Sequence, residues 1–108
     1  MSYDIYLSID TGGEDAAIVA EVGNYTSNCS PMWNKALGSS LRNLNGRNAG
    51  KSLPLLIKAV AHMRANPDEY MPLNPANGWG DYESATDYLD KLRRLCEEHP
   101  KTTIVILA

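Results

Sequence analysis

Over residues 3–10 apolar and polar side chains alternate, with Tyr3, Ile5, Leu7 and Ile9 on one face and Asp4, Tyr6, Ser8 and Asp10 on the other. A period of two predicts a half-buried β-strand, its polar face left to solvent or a dimer contact. Thr11, Gly12, Gly13 and Glu14 form a turn signal, and a second β-rich run over 17–22 closes the expected hairpin. After the polar stretch 23–30 the period changes. Ser30 reads as an N-cap with Pro31 at the first helical position, Trp33, Leu37, Leu41 and Leu44 recur at helical spacing, and Asn45-Gly46 supplies the stop. Ser52 reads as the next N-cap, with Pro54 tolerated in the first turn and Leu53, Leu56, Ile57, Val60 and Met63 as the apolar stripe, ending at Asn66-Pro67. Residues 68–80 hold too many breakers for more than one helical turn at 68–71. A third helix opens at Asp81 with Glu83 in its first turn. It buries Ala85, Tyr88, Leu89, Leu92, Leu95 and Cys96, carries Arg93 and Arg94 near its end and stops at His99-Pro100. A last apolar strand over 102–107 is placed beside the hairpin. The order β-β-α-α-α-β predicts an α+β fold with two layers, a small, mainly antiparallel three-stranded sheet covered by three helices, in a single domain spanning 1–108.

The chain has 108 residues, 44% hydrophobic and 21% charged, which is the composition of one globular domain. No apolar run approaches the roughly 18 residues of a membrane span, and Asp4 stands where a signal peptide is basic; the expected location is intracellular, in the cytoplasm. A formal charge of −3 without a Lys/Arg cluster leaves nucleic acid and membranes as unexpected partners. Cys29 and Cys96 have neither C-x-x-C spacing nor a second pair, so free thiols, no metal and no cofactor are expected. Cys96 lies on an apolar helix side. Cys29 precedes a helix start, where positive partial charge lowers a thiol pKa, and a hydrolase using it would need His62 or His99 as base. His99 precedes Pro100 and His62 lies on a charged flank, so no catalytic residue is assigned. The glycosylation sequons at Asn24 and Asn28 have meaning only in a secreted chain.

Gly46-Arg47-Asn48-Ala49-Gly50-Lys51-Ser52 looks like a phosphate-binding loop but is one residue short and follows a helix instead of a strand. A weaker reading keeps Arg47, Lys51 and the free N–H groups ahead of Leu53 as a cradle for one phosphate. The alternative is an ordinary turn with solvated cations. Asp81 and Glu83 are explained by capping and Asp87, Asp90, Glu97 and Glu98 by a solvated helix face, so acid–base catalysis has no sequence support.

Two segments do not reduce to turn chemistry. Asn24-Tyr25-Thr26-Ser27-Asn28-Cys29-Ser30 and Asn74-Pro75-Ala76-Asn77-Gly78-Trp79-Gly80-Asp81-Tyr82 each end at a helix start. Amides, hydroxyls and unpaired N–H groups, with Trp33, Trp79, Tyr25 and Tyr82 to stack, make a polar pocket for a planar or anionic small molecule. The expected ligand-binding residues are Asn24, Tyr25, Thr26, Ser27, Asn28, Trp33, Asn77, Trp79, Asp81 and Tyr82, with Arg42, Arg47 or Lys51 meeting phosphate.

These same segments, with Ser30-Pro31-Met32-Trp33, Ala36-Leu37-Gly38, Pro54-Leu55-Leu56 and Asn66-Pro67-Asp68-Glu69-Tyr70, resemble a family of small proteins of tailed phages, particularly phages of actinobacteria. The likeness covers most of 24–100 and implies phage origin; the family carries no established activity. Small phage proteins often disarm host defence, some by sequestering nucleotide-derived immune signals. The resulting expectation is a non-enzymatic binder of a nucleotide-like small molecule, with homo-oligomerisation open. The alternative is a protein-interaction module that inhibits a host or phage protein.

Overall fold

A computed structural model describes residues 2–9 and 17–107. The expected turn at residues 11–14 and the side chain of Asp10 lie outside them. Strand β1 (Ser2–Ile9) is central in a three-stranded sheet, flanked by β2 (Ala17–Thr26) and β3 (Thr103–Leu107), and both pairings are antiparallel. The alternation holds for Tyr3, Ile5 and Leu7, which are buried, as are Ile104 and Ile106 on β3, but Ile9, read on the same face, is exposed at the end of the strand. Ser8 departs from it, being buried on the face assigned to solvent. β2 runs four residues past the predicted end at 22, taking up Gly23, Asn24, Tyr25 and Thr26, because these pair in register with the start of β1, Tyr25 opposite Tyr3 and Thr26 opposite Ser2. Cross-strand pairing satisfies the backbone of a segment whose composition alone reads as loop.

The helical layer has four α-helices among the described residues, where three were expected: α1 (Ser30–Leu37), α2 (Ala49–Ala65), α3 (Pro67–Tyr70) and α4 (Tyr82–Glu98). The stripe read as one helix from Ser30 to Leu44 breaks at Gly38, which takes φ +75° and closes α1 by donating to the carbonyl of Asn34. Leu41 and Leu44 stay buried on a separate 3-10 turn. The single turn expected near 68–71 is α3. α2 and α4 pack side by side beneath the sheet, and Leu56, Ala59, Val60, Met63, Ala85, Leu89 and Leu92 complete one core with the inward faces of the strands. No helix among the described residues is long and apolar enough to cross a membrane.

α2 begins earlier than Ser52. Its cap is Asn48, whose side chain accepts from the Lys51 N–H at 2.9 Å, while the Ala49 and Gly50 N–H groups donate to the carbonyls of Thr102 and Pro100. A Cβ at Gly50 would stand 2.8 Å from the Pro100 oxygen, so the absence of a side chain allows this approach. Two orphan donors of this helix are thus bonded to the segment that leads into β3, and a third to the Asn48 cap.

Candidate functional site

The two connectors meet. The Tyr25 hydroxyl lies 2.5 Å from Ser84 Oγ and accepts from the Asp81 N–H at 3.3 Å, and Ser84 Oγ in turn donates to Asp81 Oδ1 at 2.7 Å. Asp81 is the N-cap of α4, its carboxylate also taking the Ser84 N–H at 2.8 Å. That backbone bond, with the Ser84 hydroxyl second, holds its carboxyl below the ordinary value. Gly80 closes the seam: at φ +92° it sits so near the 25–29 segment that a Cβ would fall 2.8 Å from Cys29 Sγ and 2.9 Å from both Thr26 Cγ2 and the Tyr25 oxygen.

Above this seam opens a cleft of about 650 Å³ lined by Ser2, Asn24, Tyr25, Thr26, Asn28, Asn77 and Trp79. Its indole is 68% exposed, so the ring face is available for stacking without any rearrangement of the fold. Asn24 donates its amide to Ser2 Oγ at 3.0 Å and Asp4 Oδ1 at 3.1 Å, which leaves its carbonyl as an acceptor. Asn77 Oδ1 accepts from the Trp79 N–H at 3.0 Å, which leaves its NH2 group as a donor. Asn28 adds an exposed carboxamide. Ser2 is a lining residue that sequence reasoning missed, since only the register of Ser2 opposite Thr26 brings it there.

Six of the expected residues therefore share one cleft: Asn24, Tyr25, Thr26, Asn28, Asn77 and Trp79. Ser27 lies in the 3-10 turn between Thr26 and Asn28. The others are elsewhere. Trp33, assigned to stack a ligand, is fully buried. Its indole N–H donates to the Ala85 carbonyl at 3.0 Å, and its ring packs against Tyr3, Tyr25 and Tyr88 with centroids 5.6, 5.4 and 5.7 Å away. It supports the floor of the cleft and has no free face. Asp81 and Tyr82 line a different depression, of about 450 Å³, with Pro67, Met71, Asn74 and Glu83. The Tyr82 hydroxyl is engaged by the Met63 carbonyl and its N–H by Asn74 Oδ1.

The phosphate cradle is corrected as well. Asn48, beside Arg47, bridges Thr103, which pairs with Ser8 at the end of β1 opposite Ser2. Six residues at about 3.3 Å each put that turn roughly 20 Å from the cleft, and the first N–H groups of α2 are already bonded. Arg42 stands over the Tyr3 ring, 5.8 Å from its centroid, and does not line the cleft. No Lys or Arg among the described residues lines it.

Cys29, expected to gain acidity from its helix start, does the reverse. Its sulfur is buried, 3.7 Å from the Tyr25 hydroxyl and 3.9 Å from the Asp81 carbonyl, and burial raises its pKa. Burial also raises that of Tyr25. His62 is hydrogen-bonded to Tyr70 at 2.6 Å, and neither it nor His99 is among the hydrogen-bond partners of the thiol, which are Tyr25 and Asp81. No cluster of three metal-ligating side chains occurs among the described residues.

The fold and site together define a compact α+β fold with an open, amide-lined cleft between the end of β2 and the 77–79 loop, lined by no Lys or Arg among the described residues. No family model matches the chain, and neither a curated protein nor a solved structure does.

Proposed function

We propose that the chain is a non-catalytic binding protein that holds a nucleotide-like small molecule by its base in the cleft between residues 24–28 and 77–79. The observation that carries this reading is the convergence of an exposed indole with three carboxamides on one cleft. A planar heterocycle can stack on Trp79 while the Asn24 carbonyl, the Asn28 amide and the Asn77 NH2 group meet its polar edge. Affinity comes from the ring, because among the described residues the lining includes no Lys or Arg for a phosphate and the Asp4 carboxylate, bonded to Asn24, stands beside it. The resemblance to phage proteins supports an accessory role in which a nucleotide-derived signal of host defence is sequestered in the host cytoplasm.

Calorimetry with cyclic ADP-ribose isomers, cyclic oligonucleotides and the matching nucleosides tests this. The expected result is heat from at least one base-bearing compound, with the nucleoside within about tenfold of its phosphorylated form, a difference of about 1.4 kcal/mol, and loss of that heat in Trp79→Ala. No heat from any compound overturns it. The second reading, a module that docks on a host or phage protein, is favoured by the 68% exposure of Trp79, since exposed tryptophans make interface hot spots. It expects a stoichiometric protein partner that Trp79→Ala releases, and no small-molecule heat.

A further inference from the structure

The chain contains two Asn-Gly pairs, Asn45-Gly46 and Asn77-Gly78, and we infer that Asn77 is a site of spontaneous deamidation in the folded protein while Asn45 is protected. The reaction needs only water and base. The Gly nitrogen, having lost its proton to solvent base, attacks the Asn Cγ; a C–N bond forms, the Cγ–Nδ2 bond breaks, and the side-chain nitrogen takes a proton from water and leaves as ammonia. Water then opens the cyclic imide at either carbonyl to give aspartate or isoaspartate. Glycine favours the attack because no Cβ stands beside the nucleophilic nitrogen.

All four residues are exposed, so access to water does not distinguish the pairs. Hydrogen bonding does. The Gly46 N–H donates to the Ile104 carbonyl at 2.8 Å and Asn45 Oδ1 accepts from the Ile106 N–H at 2.9 Å, so both nucleophile and electrophile are bound to β3. Attack at this pair requires both bonds to break at the edge of the sheet. The Gly78 N–H makes only the 3.2 Å turn contact with the Pro75 carbonyl. Asn77 Oδ1 accepts from the Trp79 N–H at 3.0 Å, and the ring so closed contains both Asn77 Cγ and Gly78 N. Nothing lies within 4 Å of where a Gly78 Cβ would be, so the loop has room to form the imide.

The product places a carboxylate in the cleft where Asn77 supplied an NH2 donor. This consequence rests on the proposed binding role; the reaction itself does not. Peptide mapping by mass spectrometry after incubation at pH 8, native and in urea, tests the reaction. In the native chain the Asn77 peptide is expected to convert at least about tenfold faster than the Asn45 peptide, and in urea the two converge. Equal native rates, faster conversion at Asn45, or a native Asn77 peptide that stays intact while the unfolded chain converts, overturns the assignment. Asn77→Asp then separates the consequence: heat lost in this variant but present in the unmodified chain ties the charge to binding, and unchanged heat removes that link while leaving the reaction standing.

Discussion

A methyl group at residue 80 would overlap Cys29 Sγ, Thr26 Cγ2 and the Tyr25 oxygen at 2.8–2.9 Å while taking φ +92°, whereas at residue 78, with φ +74°, it would meet open space. The two glycines separate steric fit from backbone strain. Gly78→Ala is expected to cost about 1–2 kcal/mol, the penalty of a left-handed residue, and Gly80→Ala about 2–4 kcal/mol once overpacking of the seam is added. Urea unfolding of the two variants checks this; equal midpoints would show that the seam yields freely. The sequence marks both positions as breakers, yet the contact at Gly80 joins residues more than fifty apart and has no local signal. Trp33 carries the opposite lesson. Its helical spacing to Leu37 already placed it on an apolar stripe, and the ring partners Tyr3, Tyr25 and Tyr88 that bury it come from three separate elements.

Element types were largely legible from pattern: alternation made β1, a short apolar run made β3, and the stripe of Ala85, Tyr88, Leu89 and Leu92 made α4. Boundaries were not, because competing caps are decided by tertiary partners. Asn48 wins over Ser52 because the carbonyls of Pro100 and Thr102 hold the preceding N–H groups. Asp90, read as part of a solvated face, is buried between α2 and α4. It accepts from Arg93 Nη2 at 2.6 Å and Nε at 2.8 Å, and from Arg64 Nη2 at 3.1 Å. Burial works against its ionised form, and the bonds from Arg93 and Arg64 outweigh it, leaving its pKa below the ordinary 3.8. A lowered folded pKa means that this group's stabilisation is complete above the ordinary carboxylate value and drains away as pH falls through the folded one. Asp90→Asn is therefore expected to cost about 2 kcal/mol near pH 7, discounted for the half-exposed Arg64. The deficit shrinks below about pH 4, as the native carboxyl takes up its proton. Denaturant titrations at both pH values measure it, and a deficit unchanged by acid would refute the ionic account.

The convergence of the 24–28 and 77–79 segments was legible as two amide-rich connectors ending at helix starts, but the charge around their meeting place was not. Arg47 and Lys51 sit close to these segments in no sense except that the chain is short; the antiparallel pairing of β3 with β1 carries them to the other end of the sheet. The same geometry gives the two tryptophans different duties. Trp33 is fully buried and Trp79 is 68% exposed. Truncating Trp33 to Ala is expected to cost about 3–5 kcal/mol, as for a large core aromatic. Trp79→Ala should stay within about 0.5 kcal/mol of the parent, as for a surface change, while abolishing binding. Fluorescence distinguishes them without a ligand in hand. Emission from Trp79→Phe reports Trp33 alone and should be blue-shifted and resistant to iodide, whereas the parent should carry a second, quenchable component. A base stacked on the exposed indole must alter that component and leave the buried one unchanged. If ligand instead perturbs the iodide-resistant emission of Trp79→Phe, recognition passes through the aromatic floor of Tyr25, Trp33 and Tyr88, and the cleft surface is not where the ring binds.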